Sequence, residues 1–162
     1  MSEQASITIA ANPGIPAWRP AALQLTSVTV GLLLQSLWPL QIPFVTHFSL
    51  IAGSLSLTTG VAIIAFSFWE YAKAKTSLRP DRGATALLLS GPNAYSRNPL
   101  YVAVMILIMG VGILVDSLWI LAMLIPLFFL MTQTVISAEE RYLESRFGQR
   151  YLDYKKTVRR WL

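Results

Sequence analysis

Arg97-Asn98-Pro99-Leu100-Tyr101 sets a cation and an amide beside the start of a helix. Proline suits the first helical position, and Asn immediately before it suits the N-cap. The free N–H groups of that first turn, with the positive end of the helix dipole, favour a carboxylate or phosphate next to Arg97. Farther along stand Glu139 and Glu140. The apolar run before them predicts a helix ending here, so both carboxylates would meet its negative dipole end. Arg97, Arg141 or a cationic ligand would have to offset that cost. If the two stretches meet, an anion-favouring helix start faces a carboxylate pair, an arrangement suited to a zwitterionic ligand with a cationic centre. Each feature also has a plain reading: Arg97 as a charge at a membrane edge, and the carboxylates as solvated interface charges.

Positioning these residues falls to four apolar segments. The chain is 54% hydrophobic and only 13% charged, against about 25% charged in a typical soluble protein. Residues 1–19 are polar and broken by Asn12-Pro13-Gly14 and Pro16, which reads as a flexible tail rather than a signal peptide. Residues 20–40 and 48–69 are two uncharged N-terminal spans, the second rich in Gly, Ser and Thr that allow close helix approach. A polar connection follows, with Lys73, Lys75, Arg79, Arg82 and Arg97 against Glu70 and Asp81. Residues 99–115 and 118–137 form a hairpin with Asp116-Ser117 at its turn, where Asp116 can cap the fourth helix. Pro126 predicts a kink in that helix and a groove between the spans. Residues 138–162 are a basic amphipathic tail with Tyr151, Tyr154, Val158 and Trp161 at helical spacing, divided by Gly148.

Lys and Arg cluster in the connection after the second span and in the tail, and are absent from the other connections. The expected fold is thus an all-α integral membrane protein of four transmembrane helices. Both termini and the amphipathic tail face the cytoplasm, and residues 1–162 form a single domain. The net charge of +5 follows the loops rather than a soluble face; it fits anionic lipid, not nucleic acid. Without Cys, and with His47 as the sole His, neither a thiolate nor a His-based metal site is expected. Gly91-Pro92 marks a turn before the third span, preceded by the apolar run Leu87-Leu88-Leu89. Tyr95, Tyr101, Tyr142, Tyr151 and Tyr154 surround the corner, either as a belt of packing aromatics or as ligand contacts.

Taken in order, these pieces resemble the isoprenylcysteine carboxyl methyltransferase and phospholipid methyltransferase superfamily of integral membrane enzymes. The likeness lies in Gly91-Pro92-Asn93, Arg97-Asn98-Pro99-Leu100-Tyr101, Glu139-Glu140, Leu143, Phe147-Gly148 and Tyr151-Leu152-Asp153-Tyr154, with Lys75-Thr76 to Arg79-Pro80 as a lead-in. It implies S-adenosylmethionine as cofactor, contacted by Leu87, Leu88, Asn93, Asn98, Pro99, Leu100, Tyr101, Glu139 and Glu140. Arg97 and Glu140 are the expected catalytic pair. The implied reaction carries a methyl group to a carboxylate, amine or thiol of a lipophilic small molecule or lipid reached from the bilayer. The implied setting is the cytoplasmic membrane of a prokaryote, with the active site facing the cytoplasm.

Asn98 stands where the superfamily signature has His, Asn93 where it has Tyr, and Ala103 where it has Gly. Val135 replaces an Arg that prenylcysteine-specific enzymes carry, so that acceptor is not implied. An NADPH-dependent reductase of the sterol type, or a helical membrane protein without catalysis, is the alternative.

Overall fold

The computed structural model describes residues 14–43, 46–76 and 83–162. Expectations for residues 1–13 and for Arg79, Pro80, Asp81 and Arg82 lie outside them. Among the described residues the chain is helical, without strands. Its elements are α1 (Trp18–Leu37), α2 (Thr46–Lys73), a short 3-10 turn (Gly91–Ala94), α3 (Pro99–Leu114), α4 (Leu118–Met131), a π-helical turn (Thr132–Ile136), α5 (Ser137–Phe147) and α6 (Gln149–Thr157).

Three stretches are long and apolar enough to cross a bilayer: α1, residues 47–73 of α2, and the continuous helix from Leu118 to Phe147. α3 is shorter, with 16 residues, about 24 Å at 1.5 Å per residue. Helix α1 begins ahead of the expected Pro20, because proline lacks only an N–H that a first turn leaves unbonded anyway. Ile15 is buried in the core, so the ordered chain reaches back into the stretch read as tail.

The helices pack as α2 on α3, α3 on α4 and α4 on α1. Glycine sets the first of these contacts. A Cβ added to Gly53 would meet Leu114 at 2.5 Å, and one added to Gly110 would meet the Gly53 carbonyl at 3.0 Å. Gly60 likewise lies under Leu107 and the carbonyl of Ala103, so this interface depends on small residues, as helix pairs in lipid commonly do. Outward faces of α1 and α2 carry exposed Leu25, Leu33, Ile51, Leu55 and Val61, an apolar surface suited to lipid.

At the α3–α4 turn the cap is Ser117, whose Oγ accepts from the Ile120 N–H at 3.3 Å. The expected cap, Asp116, adopts φ 53°, and its Oδ1 accepts from the Ile42 N–H at 2.8 Å. The carboxylate therefore ties the α1–α2 connection to the hairpin instead of starting α4.

A larger difference concerns Glu139 and Glu140. They do not end a helix. The π turn carries α4 onward into α5, which runs to Phe147, so the carboxylates sit mid-rod and the dipole penalty does not arise. Within that turn the Ser137 hydroxyl donates to the Thr132 carbonyl at 2.6 Å. One extra residue in a turn rotates everything after it by about 100°, and that rotation sets which face carries the glutamates. Gly148 at φ 55° then stops α5, as Phe147-Gly148 predicts. After α6 the chain becomes extended at Val158, so Trp161 is not on the helical face with Tyr151 and Tyr154. It lies against Phe128, ring centroids 4.8 Å apart, and its Nε1 donates to Thr132 Oγ1 at 3.2 Å.

Candidate functional site

The hairpin brings the two distant polar stretches together. Arg97 Nη1 lies 3.2 Å from Glu140 Oε1. Glu140, 6% exposed, is held more firmly by Arg160, whose Nε donates to Oε1 at 2.9 Å and Nη2 to Oε2 at 2.7 Å. Planar bidentate pairing of this kind is the strongest form of a carboxylate–guanidinium contact. The Arg97 contact is an ion pair without hydrogen-bond alignment: Arg97 Nε and Nη1 are buried and make no hydrogen bond.

Beside this cluster opens a cavity of about 550 Å³, within the range of small-molecule sites. Leu87 and Leu88 line it from the connection after α2, and Asn93 from the 3-10 turn. Arg97, Asn98, Pro99, Leu100 and Tyr101 line it from the start of α3, and Glu139 and Glu140 from α5. The Tyr101 hydroxyl donates to Glu139 Oε1 at 2.7 Å, which orients that carboxylate. Asn93 is 5% exposed and its Oδ1 has no hydrogen-bond partner. Unpaired buried polar atoms cost stability and call for a reason. Here they occur on two residues that line the same cavity.

Asn98 behaves differently from the N-cap read from the sequence. Its side chain makes no cap bond. Instead Nδ2 donates to the Arg160 carbonyl at 2.8 Å, while its backbone N–H is taken by Ser96 Oγ at 3.1 Å. The Arg97 N–H donates to the Arg159 carbonyl at 3.0 Å. The last residues thus form a strap across the start of α3, clasped by Asn98 and by the Arg160–Glu140 pair.

Tyr142, Tyr151 and Tyr154 also line the cavity, whereas Tyr95, 78% exposed, does not belong to it. The Tyr154 hydroxyl donates to the Asn93 carbonyl at 2.6 Å, and Tyr142 Oη accepts from the Ala84 N–H at 2.9 Å. Burial pushes the Tyr154 phenol up to about 12, and burial with the neighbouring Glu140 carboxylate raises Tyr151 well above the usual tyrosine value. Both phenols stay protonated, and that of Tyr154 acts as a donor.

Sequence reasoning missed Arg160, and it missed the wall built by Ala17, Pro20 and Gln24 of α1 with Ile64, Phe68 and Tyr71 of α2. The basic tail signalled cations near the corner, but no spacing in it singles out Arg160. Pro126 is not among the residues that line this cavity. Val135 is fully buried in the core and leaves no cation at the position of the missing Arg. Among the described residues no group of three or more His, Cys, Asp or Glu could hold a metal ion.

Residues 48–150 match the model of the phospholipid methyltransferase family, well over half of the chain. The chain belongs to that family. Its members are membrane methyltransferases, and the matched region contains the whole hairpin and both glutamates. Similar curated proteins are few and match in part. The cobalt-zinc-cadmium resistance protein CzcN of Cupriavidus metallidurans is 41% identical over 68 residues, 42% of this chain and 32% of that protein. An uncharacterized protein of Haemophilus influenzae is 60% identical over 30 residues, 18% of this chain and 48% of that protein. The chain therefore spans less than half the length of either relative. No solved structure matches. The family match leaves out α1 and the Arg160 strap.

Proposed function

We propose that this chain is an integral membrane methyltransferase that takes its methyl group from S-adenosylmethionine. The proposed acceptor is the carboxylate, amine or thiol of a lipophilic molecule drawn from the bilayer. The observation that carries the reading is the pair of unsatisfied cavity residues, Arg97 and Asn93, facing the same space as the Glu139 carboxylate.

These residues fit the donor's polar groups. Arg97, with N–H groups to spare beside the first turn of α3, suits its carboxylate. The Glu139 carboxylate can accept from its ammonium or ribose hydroxyls, and Asn93 Oδ1 can accept from an amino group. Leu87, Leu88, Pro99 and Leu100 offer apolar contact beside Tyr101 and Asn98. When bound, the donor supplies an activated methyl group on a sulfonium centre.

The protein's contribution is chiefly alignment, an effect that can reach about 7–11 kcal/mol. Glu140 is tied to two guanidiniums, so its role is to set Arg97 in place. Where the acceptor is an amine, Glu139 is the carboxylate positioned to take its proton. The proposed setting is four spans, with the 16-residue α3 shielded by its neighbours, both termini in the cytoplasm of a prokaryote, and anionic lipid around the basic ends.

The test is ligand-induced stabilisation of detergent-purified protein. S-adenosylhomocysteine at about 100 times its dissociation constant should add about 2.7 kcal/mol, NADPH should add nothing, and Arg97→Ala should remove the gain. A folded protein indifferent to S-adenosylhomocysteine sinks the reading. Transfer of a labelled methyl group into a lipid and small-thiol extract, with the product identified by mass, then identifies the acceptor.

A further inference from the structure

The cavity has two chemically distinct walls. One is the polar corner already described. The other is a cleft between the beginning of α1 and the end of α2, bounded by Pro20 and Gln24 on one side and by Ile64 and Phe68 on the other. Each pair lies on one face of its helix, being a turn apart. Helix α1 packs on α4 and α2 packs on α3, and the two do not form a packed pair with each other. Their separation leaves a side opening, with Leu100 and Val104 of α3 as its floor. Ala21 and Phe68 both line the cavity and are exposed, Phe68 by 52%, which places them at the mouth. The exposed apolar residues around the mouth make it open toward hydrocarbon rather than water.

Gln24 is the anomaly in this wall. The other glutamine of α1, Gln35, accepts from Leu40 and Ser117. Gln24 is half-buried, lines the cavity and makes no hydrogen bond. It stands about 9 Å along the helix from Trp18, deep enough for an unpaired amide to be costly in lipid. An amide at that depth becomes favourable when a ligand brings a matching group to it. Nε2 can donate and Oε1 can accept, so the match is an uncharged hydrogen-bonding group such as an ester, amide or hydroxyl where an amphiphile's chain joins its head.

We propose that the α1–α2 cleft is the entrance for the lipophilic acceptor, with its chain passing Phe68 and Ala21 and its chain-to-head linkage read by the Gln24 amide. This deepens the methyltransferase reading and rests on it for the word acceptor. The cleft itself is a lipid-chain site whatever reaction follows. Residues 48–150 alone carry the family match, so α1 is an element through which this chain can select its own acceptor.

The test uses the full chain in vesicles doped with a phosphatidylethanolamine that carries a photoreactive diazirine on the acyl chain near the glycerol. Cross-links mapped by peptide mass spectrometry should concentrate on residues 20–24 and 64–68. Ala21→Trp, which plugs the mouth, should cut them several-fold, while Leu33→Trp on the outer face of α1 leaves them unchanged. Titrating the mole fraction of the probe should show half-saturation rising on the order of tenfold in Gln24→Leu, the scale of one lost hydrogen bond.

Labelling spread evenly over the lipid-facing helices, or indifferent to Ala21→Trp, overturns the entrance; an unchanged titration in Gln24→Leu overturns the role of the amide. S-adenosylhomocysteine stabilisation measured on the same samples reports separately on the donor. Its absence beside a labelled cleft sinks the methyltransferase reading alone, and its presence beside an unlabelled cleft sinks the entrance alone.

Discussion

Glu140 is a buried carboxylate shared by two guanidiniums, and the sharing has a consequence for both. Taking a carboxylate out of water costs several kcal/mol, which only close and well-aligned cations return. Arg160 supplies the aligned pair, so Arg97 is drawn in by charge while keeping N–H groups unspent. The cluster therefore presents a net positive edge to the cavity, where a lone Arg97–Glu140 pair would be neutral and self-satisfied. Arg160→Met should then have two effects. It should lower stability by about 1–3 kcal/mol, the worth of hydrogen bonds to a charged group. It should also let Arg97 turn fully onto Glu140, weakening S-adenosylhomocysteine binding although Arg160 is not part of the cavity wall. Chemical unfolding in detergent checks the first and calorimetric titration the second. Unchanged affinity would mean that Arg97 is held by something other than the competition for Glu140.

At the scale of elements, the strap from Val158 to Trp161 and the π turn decide what the helices alone do not. The strap is fastened at the start of α3 by the Arg97 N–H and the Asn98 amide, at Glu140 by Arg160, and at the π turn by Trp161. Ending the chain after Val158 removes all four fastenings while sparing every apolar span. We expect the truncated protein to insert and keep its helical circular dichroism, yet lose stabilisation by S-adenosylhomocysteine; retention of that response would relegate the strap to packing.

The spans themselves were legible because apolar length is written residue by residue. The Pro99 helix start and the Gly148 stop were legible because proline and glycine have local backbone rules. The strap was not, since two of its bonds run to the backbone carbonyls of Arg159 and Arg160, which have no sequence signature, and no spacing in the tail singles out Arg160 or Trp161 for the other two. Nor was the π turn at Thr132–Ile136, because the hydroxyl-to-carbonyl bonds of Thr132, Thr134 and Ser137 that accompany it use residue types that also sit in ordinary α-helices. Missing it put Glu139 and Glu140 at a helix end that does not exist. At the cavity, Arg97, Asn93 and Glu139 could be nominated from sequence. The α1 wall could not, because nothing in residues 17–24 says which helix they will face.

The whole molecule is a question of which ends meet. The start of α1, the end of α2, the start of α3 and the residues just after the π turn all border one cavity, so four chain segments distant in sequence share one end of the bundle. The other end is made by the α1–α2 connection and the Asp116-Ser117 turn, bonded through Asp116 and Ile42. Lys73, Arg97, Arg146, Lys155 and Arg160 all fall toward the cavity end, while residues 38–43 and 115–117 hold no Lys or Arg. Under the positive-inside rule, this asymmetry is the ground for proposing that the cavity end faces the cytoplasm.

The absence of native cysteine makes the orientation directly measurable, because any introduced thiol is the only one. Gln41→Cys and Arg146→Cys both place it at exposed positions, one at each end. In sealed vesicles of known sidedness, a membrane-impermeant maleimide should label residue 146 only from the cytoplasmic face and residue 41 only from the opposite face. Labelling of both from one side would mean that the apolar helices lie in the bilayer without carrying the chain across it. The side opening between α1 and α2 would then face water or head groups, leaving a chain-bearing acceptor no apolar path to the cavity.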